Sequence, residues 1–184
     1  TSFFPAKPLG CYGDGGAVFT NNDEYAERIK MMRAHGQNKR YHHKYIGMGG
    51  RLDTIQAAIL LAKLPHYTQE LVDRQQVAQH YTDALSDSVQ VPVIKSNRSS
   101  AWAQYTVRVD NRDTLQAKLK DNGIPTAVHY PVSLHLQKCF QYLNYKQGDF
   151  PISEQASEEV MSLPISALIT DIEQKHIISN LASY

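Results

Sequence analysis

Short apolar runs and turn-forming residues alternate in the first third of the chain. Residues 1–4 and 17–20 are short β-prone runs, which predict two strands on either side of a segment rich in glycine and proline. A helix is predicted to begin after Asn22, whose side chain can cap it, and to end at Gly36. The loop at 38–50 is basic and aromatic in its first half and glycine-rich in its second.

Two helices are predicted in the middle of the chain. Asp53 and Gln56 have capping-box spacing, which opens a helix over 54–64. That helix is apolar on nearly all sides, so we expect it to be buried in a core or an interface. Beyond Pro65, a longer amphipathic helix is predicted to run to about Ser86.

The second half of the chain has a mixed pattern. Residues 103–109 alternate apolar and polar side chains, which predicts a half-buried strand. A helix ending at Gly123 follows, and 124–130 has the composition of another strand. This β-α-β pattern is typical of a small α/β domain.

The last third is loop-rich before it becomes regular again. After the loop at 131–151, a short helix is predicted near 153–159, followed by an apolar run at 160–164. Thr170 and Glu173 have capping-box spacing and predict a final helix.

Composition narrows the class of protein. The chain has 184 residues, with 19 basic and 18 acidic side chains, so its formal charge is +1. This balance gives no general attraction to nucleic acid or acidic membranes, and no apolar run is long enough to span a bilayer. Two cysteines do not form a disulfide framework, which favours a reducing, cytoplasmic compartment. Thr1 is not a methionine and lies in a strand pattern, so we expect the chain to be a piece of a longer one.

Lys7 is the first candidate for chemistry. It follows a predicted strand and lies between Pro5 and Pro8, which restrict the backbone on either side. The glycines at 10–16 allow close approach by a ligand or by another part of the backbone. A rigid, partly desolvated lysine is what an imine-forming amine requires. Spacing alone nevertheless favours a solvent-exposed loop lysine, because lysine is mostly a surface residue.

Three blocks of sequence carry a more specific signal. They are 2–16 (SFFPAKPLGCYGDGG), 35–59 with HG, YHH and GRLDTIQAAI, and 103–164 with AQYTVR, PTAVHYP and MSLP. In this order they resemble the DegT/DnrJ/StrS family of sugar aminotransferases, which use pyridoxal 5′-phosphate (PLP) and have fold type I. The resemblance implies an α/β fold, with 1–65 as the end of the large PLP-binding domain, 66–88 as a connecting helix and 89–184 as the small C-terminal α/β domain. The chain would then be the C-terminal half of a family member.

The resemblance also implies a role for individual residues. Lys7 would bond to the cofactor aldehyde and carry the proton during transamination, and the Ser2 hydroxyl would bind the cofactor phosphate. Arg51 lies in a loop that reaches the neighbouring subunit's site, where its guanidinium would bind substrate oxygens. His129 and Tyr130 would line the sugar-binding face. Without the resemblance, His129 would be interpreted as a buried strand histidine.

Gly49 departs from the family pattern. Many relatives have an asparagine there, whose side chain contacts the partner's PLP phosphate. In this chain only a backbone N–H can replace that contact, so the resemblance makes Gly49 a weakened cofactor-binding position.

Within the family, the third block is most similar to enzymes that aminate C3 of a UDP-linked 2-acetamido-3-keto-hexuronic acid. The implied activity moves an amino group from an amino acid, with L-glutamate expected, for surface polysaccharide (O-antigen, lipopolysaccharide) biosynthesis. Alternatives are a C4-keto nucleotide-sugar aminotransferase and a PLP-binding regulator without turnover. A sugar dehydratase is disfavoured, because its family variants replace the lysine with histidine. A homodimer with shared active sites is also implied.

Two other motifs do not predict a further binding site. The basic and aromatic run at 39–45 could bind nucleic acid, but it is short and isolated in a neutral protein, so a solvated or interface loop is favoured. His42 and His43 are adjacent and lack a cluster at zinc spacing, so no metal site is predicted. We therefore expect a nucleotide sugar and an amino-acid donor as partners, and neither nucleic acid nor a membrane.

Overall fold

The computed structural model describes residues 1–182, which divide into two compact units. The first unit is Thr1–Thr68, and the second begins at Gln69. Two 3-10 helices, Leu134–Leu136 and Lys138–Leu143, lie in the second unit. The remaining elements, in chain order, are α1 (Asp23–Met32), β1 (Gln37–Lys39), β2 (His42–His43), α2 (Thr54–Leu85), β3 (Tyr105–Arg108), α3 (Arg112–Asp121), α4 (Pro151–Glu159), β4 (Val160–Leu163) and α5 (Asp171–Ala182).

The start of α1 follows the prediction, and its end does not. The Asn22 side chain accepts a hydrogen bond from the Tyr25 amide at 3.0 Å, so it caps the helix as expected. The C-cap is Arg33, three residues before Gly36. Gly36 has φ +74° and a Cβ there would lie 1.7 Å from the Tyr45 carbonyl oxygen, so its role is a close backbone approach in the following loop.

The two strands predicted at 1–4 and 17–20 are reduced to one antiparallel bridge between Ser2 and Gly16. Strands persist only where a neighbour satisfies their backbone groups. Among the described residues the first segment bonds to Gly15, Ala17 and Cys11 and not to a continuous neighbouring strand, and Val18 and Phe19 in the second segment are exposed.

The two helices predicted around Pro65 are one helix, α2. An internal proline costs about 3 kcal/mol in an isolated helix, and favourable residues on both sides offset that cost here. The predicted capping box at Asp53 is also wrong, because Gln56 Oε1 accepts from the Tyr12 amide at 2.8 Å. The apolar first half is buried only in part within the described chain: Leu60 is buried, whereas Ile55 is 72% and Leu61 69% exposed.

The second unit is built on a short antiparallel sheet. Strand β3 pairs with β4, with Thr106 opposite Ser162. The strand predicted at 124–130 is a single bridge between Ala127 and Ser162, so the expected β-α-β unit is wrong: β3 finds its partner more than 50 residues along the chain. Such long-range pairing leaves no local signal in the sequence.

Buried apolar side chains from α2, β3, α3, β4, α5 and the segments that connect them form the core of the second unit. They are Ala78, Tyr81, Leu85, Val89, Trp102, Tyr105, Val107, Val109, Leu115, Leu119, Ile124, Met161, Leu163, Ile177 and Leu181.

The last two helices follow the prediction. Helix α4 forms where a helix was predicted near 153–159, and the apolar run after it forms β4. At α5, the Thr170 amide donates to Glu173 Oε2 at 2.8 Å and the Glu173 amide donates to Thr170 Oγ1 at 3.3 Å, which completes the predicted capping box.

Candidate active site

Lys7 lies in a loop whose ends are tied together. The Phe3 amide donates to the Gly15 carbonyl at 2.8 Å, and the Cys11 amide donates to the Phe3 carbonyl at 2.8 Å. Within the loop, the Lys7 amide donates to the Phe4 carbonyl at 2.9 Å. The backbone on both sides of Lys7 is therefore fixed by hydrogen bonds as well as by the neighbouring prolines.

Gly10 and Cys11 make this loop tight. A Cβ at Gly10 would lie 2.7 Å from the Pro5 carbonyl oxygen, 2.8 Å from that of Phe4 and 3.0 Å from that of Lys7. Only glycine allows this approach. The Cys11 thiol is buried, with Sγ 3.0 Å from the Phe3 carbonyl oxygen, so it packs against the backbone inside the loop.

Helix α2 holds the same loop from one side. In addition to the bond from the Tyr12 amide to Gln56, Lys63 Nζ donates to the Gly10 carbonyl at 2.6 Å. The Lys63 ammonium also lies 5.1 Å from the centre of the Tyr12 ring. The Lys63 amine therefore has a structural role in holding this loop.

The side chains of Lys7 and Ser2 are free to bind a ligand. Within residues 1–182, the half-buried Lys7 amine has no hydrogen-bond or ion-pair partner. Ser2 Oγ accepts from the Phe4 amide at 3.2 Å, and in the same described range its hydroxyl proton has no acceptor. One unpaired amine and one available hydroxyl donor on a rigid loop fit the chemistry of a phosphorylated aldehyde.

Gly49 and Arg51 lie in a second loop of the first unit. Ala34 and Gly49 form an antiparallel bridge, and the Gly50 amide donates to the Arg33 carbonyl at 2.8 Å. A Cβ at Gly49 would meet only the His35 ring, at 3.3 Å. The Arg51 side chain is exposed and has no polar partner among the residues that the structure describes.

His129 and Tyr130 lie in the second unit, on the chain that leaves the Ala127–Ser162 bridge. Their rings are 5.5 Å apart and nearly perpendicular, and both line a cavity of about 560 Å³. His129 is half-buried and its Nδ1 lies 2.9 Å from Ser162 Oγ, whereas Tyr130 is 70% exposed. Sequence reasoning missed Ser162 as a site residue, because its contact with His129 depends on the Ala127–Ser162 bridge.

A hydrogen-bonded pair, Glu154 and His135, fixes the loop beside this cavity. Glu154 accepts from the Gly148 amide at 2.9 Å and from the Phe150 amide at 3.3 Å, and His135 Nε2 lies 2.9 Å from its Oε1. The Gly148 bond is the largest cause that lowers the pKa of Glu154, and burial acts in the opposite direction. The carboxylate therefore stays charged and closes the loop before α4.

The predicted site residues thus lie in three segments. Ser2 and Lys7 share one loop, Gly49 and Arg51 share a second loop of the same unit, and His129–Tyr130 belongs to the second unit. Within residues 1–182, no group of three or more metal-binding side chains could hold an ion, and no helix has the length and apolarity to cross a bilayer.

The chain is similar to known proteins along all of its described length. A model of the DegT/DnrJ/EryC1/StrS aminotransferase family matches residues 1–182. A UDP-2-acetamido-2-deoxy-3-oxo-D-glucuronate aminotransferase from Pseudomonas aeruginosa is 47% identical over all of this chain and 50% of its own length. A protein from Geobacillus stearothermophilus named "Pleiotropic regulatory protein" is 42% identical, with the same coverage.

A solved structure shows the same fold. DesV from S. venezuelae, in complex with a ketimine intermediate, matches with a TM-score of 0.93 and 35% identity, over 99% of this chain and 50% of its own. The chain spans about half the length of the curated relatives it matches. The expected fold class, fold type I, is confirmed. This chain is a member of the DegT/DnrJ/EryC1/StrS aminotransferase family.

Proposed function

We propose that the protein is a PLP-dependent aminotransferase that moves an amino group from an amino acid, in our expectation L-glutamate, to a keto sugar linked to a nucleotide. The observation that carries this proposal is the unpaired Lys7 amine on its closed, hydrogen-bonded loop. Aminotransferases of the family depend on PLP, which supports the assignment of the cofactor.

Three residues would hold the cofactor. Lys7 would bond to its aldehyde carbon, Ser2 would donate to its phosphate, and the Gly49 backbone would contact the phosphate in the partner's site. When bound, PLP supplies an electron sink that makes the donor's Cα–H acidic. Lys7 Nζ would take that proton and would later deliver a proton to the sugar carbon that receives the amino group.

For the sugar, we propose the C3 keto group of a UDP-linked 2-acetamido-hexuronic acid. The Pseudomonas aeruginosa relative is named for a 3-oxo-glucuronate, which supports this choice. Arg51 offers two parallel N–H donors to a carboxylate, and His129 and Tyr130 offer polar groups beside one cavity. Such a product would serve lipopolysaccharide biosynthesis in the cytoplasm.

We also propose a homodimer in which Arg51 serves the partner's site. Arg51 is exposed and unpaired within the described residues, so it is available to a second chain. The test mixes Lys7→Ala protein with Arg51→Ala protein. Because a mixed dimer keeps one intact site, we expect partial recovery of activity. Complete absence of recovery, with subunit exchange verified by mass, would refute shared sites.

A PLP-binding regulator is the second candidate. The relative named "Pleiotropic regulatory protein" and the missing side chain at Gly49 both favour it. In this case the full-length protein would bind PLP and an amino acid without steady turnover.

Turnover separates the two candidates. Full-length protein is mixed with L-glutamate and the UDP-linked 3-keto sugar, and the 2-oxoglutarate formed is measured. We expect sustained turnover that falls by about 10²–10⁴-fold in Lys7→Ala, because the proton carrier is lost. The matched control is Lys175→Ala, which removes an exposed lysine of α5 and leaves turnover unchanged. Cofactor binding with no sustained product would support the regulator.

A further inference from the structure

Ser162 lies at a fixed position relative to His129. Its backbone exchanges two hydrogen bonds with Ala127, at 2.7 and 3.2 Å, two residues before His129. The Ser162 side chain is 5% exposed, and its Oγ is 2.9 Å from His129 Nδ1. Because the backbone bonds fix the distance between the two residues, the serine hydroxyl holds the imidazole ring in one orientation.

A third residue sets the direction of this hydrogen bond. Thr106 is paired with Ser162 across the strands, and its Oγ1 is 2.8 Å from Ser162 Oγ. Within residues 1–182, Ser162 is the only group that the Thr106 hydroxyl contacts. A hydroxyl has one proton to donate. If Thr106 donates to Ser162 and Ser162 donates to His129 Nδ1, both hydroxyl protons have an acceptor. The reverse order leaves the threonine proton without a protein acceptor.

We propose that Ser162 is a positioning residue: its hydroxyl donates to His129 Nδ1, so that the neutral ring carries its proton on Nε2. Nε2 has no partner among the residues that the structure describes, and the ring lines the 560 Å³ cavity with Tyr130. The Nε2–H group is then a donor for an oxygen of the sugar, such as a carboxylate oxygen of the hexuronic acid. This last step rests on the proposed function.

The first test reads the ring directly. Full-length protein carrying ¹⁵N-labelled histidine is studied by long-range ¹H–¹⁵N correlation at a pH where histidine is neutral. We expect His129 to show the Nε2–H form in the wild type and in Ser162→Thr, which keeps the hydroxyl. In Ser162→Ala we expect a mixture of both tautomers. The control is Thr82→Val, which removes a hydroxyl bonded to Tyr105 in the same unit and leaves the His129 signals unchanged.

The second test measures the effect of Ser162 on KM for the sugar substrate. In Ser162→Ala we expect KM for the keto sugar to rise about 3- to 10-fold, which corresponds to the loss of one hydrogen bond, and Ser162→Thr to restore it. An unaltered tautomer in Ser162→Ala overturns the positioning role. A mixed tautomer with unaltered KM overturns the link to the sugar. The NMR measurement requires no turnover, so it tests the positioning role of Ser162 even if the proposed function is wrong.

Discussion

The Lys7 loop depends on the absence of a side chain at Gly10, so we predict that Gly10→Ala opens this loop. The new methyl would lie 2.7, 2.8 and 3.0 Å from three backbone carbonyl oxygens. Real Cβ atoms essentially never come closer than 3.0 Å, so the backbone must shift. Overpacking of this kind costs about 1–3 kcal/mol. That free energy corresponds to an increase of about 5- to 140-fold in the opening constant of the loop.

Hydrogen–deuterium exchange of the Cys11 amide measures this opening, because that amide donates to the Phe3 carbonyl inside the loop. The matched control is Gly50→Ala in the same unit, whose methyl would come no closer than 3.4 Å to the Met48 side chain. We expect the control to change exchange by less than about 5-fold, because a methyl at that distance forces no shift. Equal exchange rates in the two variants, or no change in Gly10→Ala, would refute the claim that the loop is held by close packing.

Three further predictions concern single residues. Gly49→Asn should slow the loss of PLP on dialysis of the full-length protein, because an amide reaches the phosphate and only the His35 ring must shift; unchanged retention would count against a phosphate contact there. Tyr81→Phe should lower the free energy of unfolding in urea by about 1–3 kcal/mol, since the buried hydroxyl donates to the Pro164 carbonyl at 2.9 Å, and an unchanged midpoint would contradict this. The pKa of Glu154 is lowered below its usual 4.5, so its carboxylate stabilises the fold above that value, and the effect is lost as pH falls through the folded pKa. The unfolding temperature of Glu154→Gln should therefore depend less on pH in the acidic range than that of the wild type. Identical pH profiles of the two proteins would contradict the assignment.

Local signals made the N-termini of α1 and α5 predictable. The Asn22 cap and the Thr170–Glu173 box each depend on residues within one turn, and both form as expected. Where a side chain finds a distant partner, the local pattern misleads. Gln56 has the spacing of a capping box, but it binds the Tyr12 backbone more than 40 residues away.

Pairing between strands could not be predicted in the same way. The alternation at 103–109 predicts β3, but nothing in it specifies β4 as the neighbour. The prolines and glycines around Lys7 indicated a restricted backbone, because these residues restrict or free the backbone wherever they occur, but only the family resemblance singled out its amine. The contact between Ser162 and His129 has no local signal, because it depends on the Ala127–Ser162 bridge.

The central claim is that Lys7 is the amine that binds the cofactor. Full-length protein loaded with PLP is reduced with borohydride, digested and sequenced by mass spectrometry. We predict a pyridoxyl group on the peptide that contains Lys7, and on no other. Lys63 is the internal control, because its amine is engaged by the Gly10 carbonyl at 2.6 Å. A pyridoxyl group on Lys63 or elsewhere, or none on Lys7, would contradict the account.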